Sequence, residues 1–397
     1  MLDLGKLRQH IKALSNGDDQ SRRQAIGFLK GHESSIWASA PSKVIDPLVE
    51  SLRHQLINGT QHASSRQDVL ALLGHMGRHS SCAIPQIVEL LKEGHPEGVR
   101  EAAAVALRRI GGADARVKNA LTAVWLARSL AQAGQVQVAI SLCKLKIPVP
   151  GASRFLALVL VQHQVSGLRN AAAEGLASCN KNDVDVVPAL LVAALNDKDE
   201  NVRNVAKASL EKLHLPIAKA IQLCAKQLDS SNFAEAAMRF SGEQAIPALI
   251  EALRAKEIMS REKAARLLGR LGEQAAVATP ALTAALRDKN AEFRLAAAKG
   301  LWNISKQADV VVPVLIDLLK GKWAAEQAAQ AVQMGQDGVE VRRQFLQTVI
   351  EALQRIGPPA EKAVAALKEK VRDKNRLVAE SARRALEVIA PAVALKI

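Results

Sequence analysis

The chain has 397 residues, with 54 Lys and Arg against 39 Asp and Glu, and a formal net charge of +15. Apolar residues make up 49% and aromatics 3%, and there is no Tyr. This excludes a disordered chain, leaves few rings on which bases or sugars can stack, and requires a core of Ala, Leu, Val and Ile. The basic excess admits nucleic acid, an anionic lipid surface or an acidic protein as partner without choosing among them.

In chain order, the first ten residues, MLDLGKLRQH, carry charge from Asp3 onward and lack the apolar region of a secretory signal. Apolar stretches such as Phe155 to Val161 fall far short of the roughly 20 residues that cross a bilayer. A cytoplasmic location is therefore expected. Cys82, Cys143, Cys179 and Cys224 form no C-x-x-C pair and read as small apolar packing residues.

From residue 44 one pattern recurs. An apolar pair, then Pro, then a helical spacing of apolar residues reads AIPQIVELL at Ala83, VVPALLVAAL at Val186, AIPALIEAL at Ala245, ATPALTAAL at Ala278 and VVPVLIDLL at Val311, with a weaker copy, VIDPLVESL, at Val44. Apolar residues at three- and four-residue steps mark one helix face, and Pro suits a first turn, whose N–H groups have no intrahelical acceptor. A second pattern follows about ten residues later. It reads EGVREAAAVALRRIGG at Glu97, SGLRNAAAEGLASC at Ser166, ENVRNVAKASLEKL at Glu200 and AEFRLAAAKGLWNI at Ala291, with looser copies SREKAARLLGRLG at Ser260 and NRLVAESARRALEVI at Asn375. Val99, Ala103, Ala106, Leu107 and Ile110 form an apolar stripe in the first copy, and its small residues allow close helix approach. Several copies end in an apolar–Gly pair, such as Met76-Gly77, Ile110-Gly111, Leu271-Gly272, Met334-Gly335 and Ile356-Gly357, which predicts a left-handed residue closing the helix.

Each unit is thus predicted to be two antiparallel helices, recurring at roughly 33–38 residues, about eleven times along the chain. Stacked pairs bury a continuous core that one pair alone cannot. The chain reads as a single array over 1–397. The stretch IPVPG at Ile147 predicts a bend near 145–152 between an N-terminal sub-array, 1–146, and a C-terminal sub-array, 151–397.

These residues resemble the HEAT-repeat family, and within it bacterial sequences named for phycobilisome-lyase-like HEAT units. The resemblance covers essentially the whole chain; it is most specific at Val186 to Gln307 and Ala83 to Gly112, and weakest at 114–150, 216–242 and 322–358. It implies an all-α fold, a right-handed α-solenoid (superhelix) of about ten to eleven HEAT-like helix pairs with one concave helix layer.

Two sets of recurring charges follow. Arg100, Arg169, Arg203, Arg294 and Arg342 open the second helices, often after an Asp: Asp197 or Asp199 before Arg203, Asp288 before Arg294, Asp337 before Arg342, and Asp18 or Asp19 before Arg22. They read either as a row of anion sites or as a ladder in which Asp caps the helix and Arg joins neighbouring units; the resemblance favours the ladder. Arg109, Lys212, Arg270 and Arg355 stand just before the last apolar residue of their helices, with Asn303 beside Trp302 at the matching place. They either line the concave face as a basic track or answer the helix dipole, which is worth ~0.3–1 kcal/mol. Arg109, Lys212, Arg270, Trp302 and Arg355 are accordingly the candidate partner-binding residues.

No chemistry-bearing motif accompanies them. His75 and His79 are four apart, but Met76 stands where a zincin motif needs Glu. His32-Glu33 is a single pair, whereas the di-iron hydroxylases of the HEAT type repeat it. HEAT-like DNA glycosylases hold damaged DNA against Trp, Asp and Arg on a concave basic face, and by that resemblance Trp302 and Trp323 with Arg294 and Asp309 form a candidate group. No catalytic residue, metal or cofactor is expected. The expected function is a non-catalytic scaffold or adaptor binding a protein along the concave helices. The alternatives are binding of nucleic-acid backbone through a basic concave face and, by family analogy only, a lyase or oxidoreductase.

Overall fold

The computed structural model describes residues 4–31, 37, 42–59, 63–111, 114–320, 329, 332–333, 335 and 337–395. The expectations placed on His32, Glu33, Met334 and Trp323 lie outside these residues. All described regular structure is helical. The chain divides into two compact units, residues 1–215 and 216–397; Ile147 to Gly151 lies within the first.

Among the described residues of the first unit, six helix pairs follow one another: α1 (Leu4–Asn16) and α2 (Asp19–Lys30), α3 (Ser42–His54) and α4 (Ala63–His75), α5 (Ile84–Glu89) and α6 (Glu97–Ile110), α7 (Ala115–Ala127) and α8 (Gln132–Lys144), α9 (Ala152–Gln162) and α10 (Ser166–Leu176), α11 (Val186–Asn196) and α12 (Glu200–Lys212). The second unit holds α13 (Ile217–Lys226) and α14 (Asn232–Phe240), α15 (Ile246–Ala252) and α16 (Ile258–Leu271), α17 (Thr279–Ala285) and α18 (Ala291–Ser305), α19 (Ala308–Lys320) and α20 (Gly338–Ile356), α21 (Val364–Val371) and α22 (Arg376–Ile389). Within each unit every second helix packs on the next second helix, the α-solenoid arrangement.

The Pro signature places the first helices. Pro85, Pro247 and Pro280 occupy their first two positions, each after a short 3-10 turn. In α3 and α19 the helix instead begins a turn earlier, so that Pro47 and Pro313 fall inside it. Several second helices are opened by side-chain caps: Asp199 accepts from the Asn201 N–H, Asn290 from Phe293, Asp337 from Val339 and Glu340, and Asn375 from Leu377 and Val378. Each such cap contributes about 0.5–2 kcal/mol. Gly272 (φ +59°, ψ −137°) and Gly357 (φ +73°, ψ −144°) take the positive φ that favours Gly, though not the left-handed helical ψ, whereas Gly111 is extended (φ −161°). Where no Gly is available, Lys146, His214 and Lys306 take the left-handed place themselves.

The core is aliphatic. Ala103, Leu107, Ala173, Leu176, Ala297 and Leu301 are fully buried. Small residues set how closely second helices meet. A Cβ on Gly175 would lie 2.7 Å from Ile140 Cγ1, and one on Gly269 would lie 2.7 Å from Gly300 Cα.

The joints between pairs repeat a geometry. Arg169, 2% exposed, donates from Nε and Nη2 to both oxygens of Asp197 at 2.8 Å, and from Nη1 to the His163 and Gln164 carbonyls at 2.9 Å. Asp197 belongs to the following pair and also accepts the Asp199 N–H. Arg261 donates to Asp288, which accepts the Asn290 N–H, and Arg342 donates to Asp373, which accepts the Asn375 N–H. The motif is Asp-x-Asx: the first acid receives the preceding pair's arginine, and the Asx two residues later caps its own helix. Arg203 Nη1 donates to the Asp197 carbonyl, and Arg294 reaches Asp317 on α19. The α6–α8 joint lacks the Asp; Arg100 donates to the Ser129 carbonyl, and Glu97 accepts the Ala131 N–H.

Candidate functional site

The second-helix face of the first unit carries a cavity of about 550 Å³ that crosses four successive second helices. Gln67 and Ala71 of α4 line one end, and Ala171 and Glu174 of α10 the other. Between them stand Glu101, Ala102, Arg108 and Arg109 of α6, and Gln137 and Lys144 of α8. Helix geometry brings these together: residues three and four apart stack on one side, so 101, 105 and 108 point the same way.

The cations there repel one another. Burial, and then Arg108, Lys212 and Arg109, hold the Lys144 ammonium below its usual pKa, with Glu174 opposing. Burial and Arg109 do the same to Arg108, again against Glu174. His75, at the end of α4, is lowered by burial and by Arg109, while burial and Glu97 raise the Glu101 carboxyl. Arg109 and Lys212 of the expected basic track therefore share one electrostatic field, with Lys144 between them. Among the described residues Arg108, Arg109, Lys144 and Lys212 make no ion pair. Arg169, Arg261, Arg294 and Arg342 differ: each forms an ion pair with an Asp.

Lys212 itself lines a neighbouring cavity of about 880 Å³, walled by Lys146 to Pro150, Cys143, Cys179 and His214. The Cys179 thiol there is raised by its hydrogen bond to Cys143 and by burial, which makes it a poor nucleophile.

In the second unit, Trp302 and Arg355 lie together, with Lys299 and Asn303, around a space of only about 20 Å³. Lys299 is lowered by burial and by Arg355 and Arg266, with Glu351 opposing. The Lys306 ammonium stands 5.2 Å from the Trp302 ring centroid. Arg270 is turned to Glu235 at 3.4 Å. Glu262 is raised to about 7, by burial first and then by Glu292, to which it hydrogen-bonds. The glycosylase-like group is not assembled among the described residues: Arg294 donates to Asp317, and Asp309 accepts from Lys362 at 2.9 Å.

Sequence reasoning missed Arg108, Lys144, Glu174, Lys299 and Glu262. Arg108 is one residue from Arg109, and only the helix's rotation separates wall from rim. Lys144 ends α8, a helix with neither the Val-Arg pair nor a terminal Gly by which to align it.

Fold and face define the class as an α-solenoid of helix pairs. The family model for HEAT repeats matches residues 246–334. A comparison with curated proteins finds no match. Among solved structures the chain is similar to an engineered protein (20% identity, 98% of each chain, TM-score 0.37). It is also similar to a structure from work on a phosphorylation switch between cadherin and β-catenin (15% identity, 96% of this chain and 99% of that one, TM-score 0.33). A third is yeast importin-β, Kap95p (13% identity, 98% of this chain and 65% of that one, TM-score 0.34). No described helix is long and apolar enough to cross a membrane.

Proposed function

We propose that the protein is a non-catalytic scaffold or adaptor that holds a protein partner along the second helices of its first unit. The observation that carries this reading is the shape of the 550 Å³ cavity, which runs across α4, α6, α8 and α10. Packed helices lie about 8–10 Å apart, so four of them give a groove of roughly 24–30 Å, and at about 3.3–3.6 Å per residue it accepts seven to nine residues of extended chain. Alanines floor it, and Gln67 and Gln137 offer amide groups that can pair with a peptide backbone. Many weak contacts add along such a surface without a reactive centre.

The test is site-specific photo-crosslinking in the native cell from Gln137, in the groove, and from Lys118, exposed on a first helix. A discrete protein adduct from position 137 and none from 118 is the expected result. Recovery of nucleic acid alone, or equal adducts from both positions, would overturn the reading.

A further inference from the structure

We propose that the groove's occupant is an acidic peptide segment, whose side-chain carboxylates are taken by Arg108, Arg109 and Lys144; this rests on the reading of the chain as a protein-binding scaffold. The basis is a division among the protein's own cations. Arg169, Arg261 and Arg342 each have a carboxylate from the next helix pair, at 2.6 to 2.9 Å for the shortest contacts. Arg108, Arg109 and Lys144 make no ion pair among the described residues, yet they crowd one cavity, and Arg108 and Lys144 are partly desolvated there. A cluster of like charges beside open space is relieved by an anion, and a carboxylate meets guanidinium and ammonium groups in short, charge-assisted hydrogen bonds.

The wall also carries Glu101 and Glu174. These limit what kind of anion fits. Double-stranded DNA presents a charge about every 1.7 Å of helix axis and would bring phosphates against both glutamates. An extended acidic peptide carries its carboxylates on alternate sides at a spacing of about 6–7 Å between like-facing residues, so it can place them beside the cations and leave uncharged atoms beside Glu101 and Glu174. The mixed wall therefore favours an acidic peptide over a uniform polyanion.

Fluorescence anisotropy of a labelled hexaglutamate peptide against the full chain at low salt tests this. Saturable binding is expected. The double variant R108Q/K144Q should weaken it at least tenfold, and E174Q should tighten it severalfold by removing the opposing charge. The control K118Q/K198Q removes the same charge from exposed positions off the groove and should leave the affinity unchanged. Circular-dichroism melts report whether each variant is folded. Should R108Q/K144Q not fold, the opposite-signed effect of E174Q still decides. Absent hexaglutamate binding, an equal loss in the control, or tighter binding of a 20-base-pair duplex lost in the same variants would each overturn the proposal. A protein adduct from position 137 together with no hexaglutamate binding would overturn it and leave the scaffold reading standing; no protein adduct at all would remove that reading itself.

Discussion

On α6 and α10 the positions beside the cations are Ala102, Ala106 and Ala171, and about 550 Å³ stays open; on α18 and α20 the cations Lys299 and Arg355 stand with Trp302 and Asn303 around about 20 Å³. On each face burial, and after it the charge of neighbouring cations, holds a lysine below its ordinary pKa: Lys144 on the first and Lys299 on the second. What separates them is the size of the uncharged neighbours. A cation with an empty neighbouring volume can take a ligand, while one that shares about 20 Å³ with a Trp side chain serves the wall of its own array. Net charge, the first thing a sequence reports, does not distinguish these cases.

Perturbations rank accordingly. The largest effect is expected at the joints. Arg169→Ala leaves Asp197 buried without its partner and should cost ~3–5 kcal/mol in denaturant unfolding. Arg342→Ala in the second unit should cost clearly less, because the Arg342 side chain is 35% exposed. Equal losses would show that the two joints are equally dry.

Next come the packed small residues. Gly300→Ala, Ala297→Leu and Ala103→Leu should each cost ~1–3 kcal/mol, since Gly300 meets the Ala265 carbonyl and both alanines are fully buried. Ala102→Leu, one residue from Ala103, points into the open groove; it should leave the melting temperature nearly unchanged while blocking the partner crosslink. If Ala102→Leu destabilises as much as Ala103→Leu, the groove is not open.

A smaller effect is the pH dependence that Glu262 gives the second unit. Glu262 has a folded pKa of about 7 against an ordinary value near 4.5, so the fold favours its protonated form. The stability this contributes is fully present below about pH 4.5 and is lost as pH rises through about 7. Melts from pH 5 to 8 should fall in temperature for the wild type and fall less for Glu262→Gln. The smallest effect belongs to Arg109→Gln, an exposed site without an ion pair among the described residues, where stability should move within about 0.5 kcal/mol.

Much of the architecture is legible in the residues themselves, because each helix pair repeats its own punctuation. Pro188 opens α11, Asp199 caps α12, and the apolar stripe between them has no other use than a core. The joints are half legible. Asp197 and Asp199 are both visible before Arg203, but the partner of Asp197 is Arg169, one pair earlier, and contacts between successive pairs leave no local trace. The groove is the least legible feature. It depends on which way α6 and α8 are rotated to within one residue, and on Ala102 and Ala171 being small where their neighbours leave space, so Arg109 could be named and Arg108, Lys144 and Glu174 could not.

The Asp-x-Asx turn has a consequence for how the array is cut and made. Remove the pair that follows α10, and Arg169 loses both carboxylate oxygens but keeps the His163 and Gln164 carbonyls. Remove the pair that precedes α11, and Asp197 still holds the Asp199 N–H. At this joint each side thus keeps hydrogen bonds made within its own pair, and a cut on either side costs the ion pair itself. In a growing chain Arg169 waits for that carboxylate until the following pair has been made.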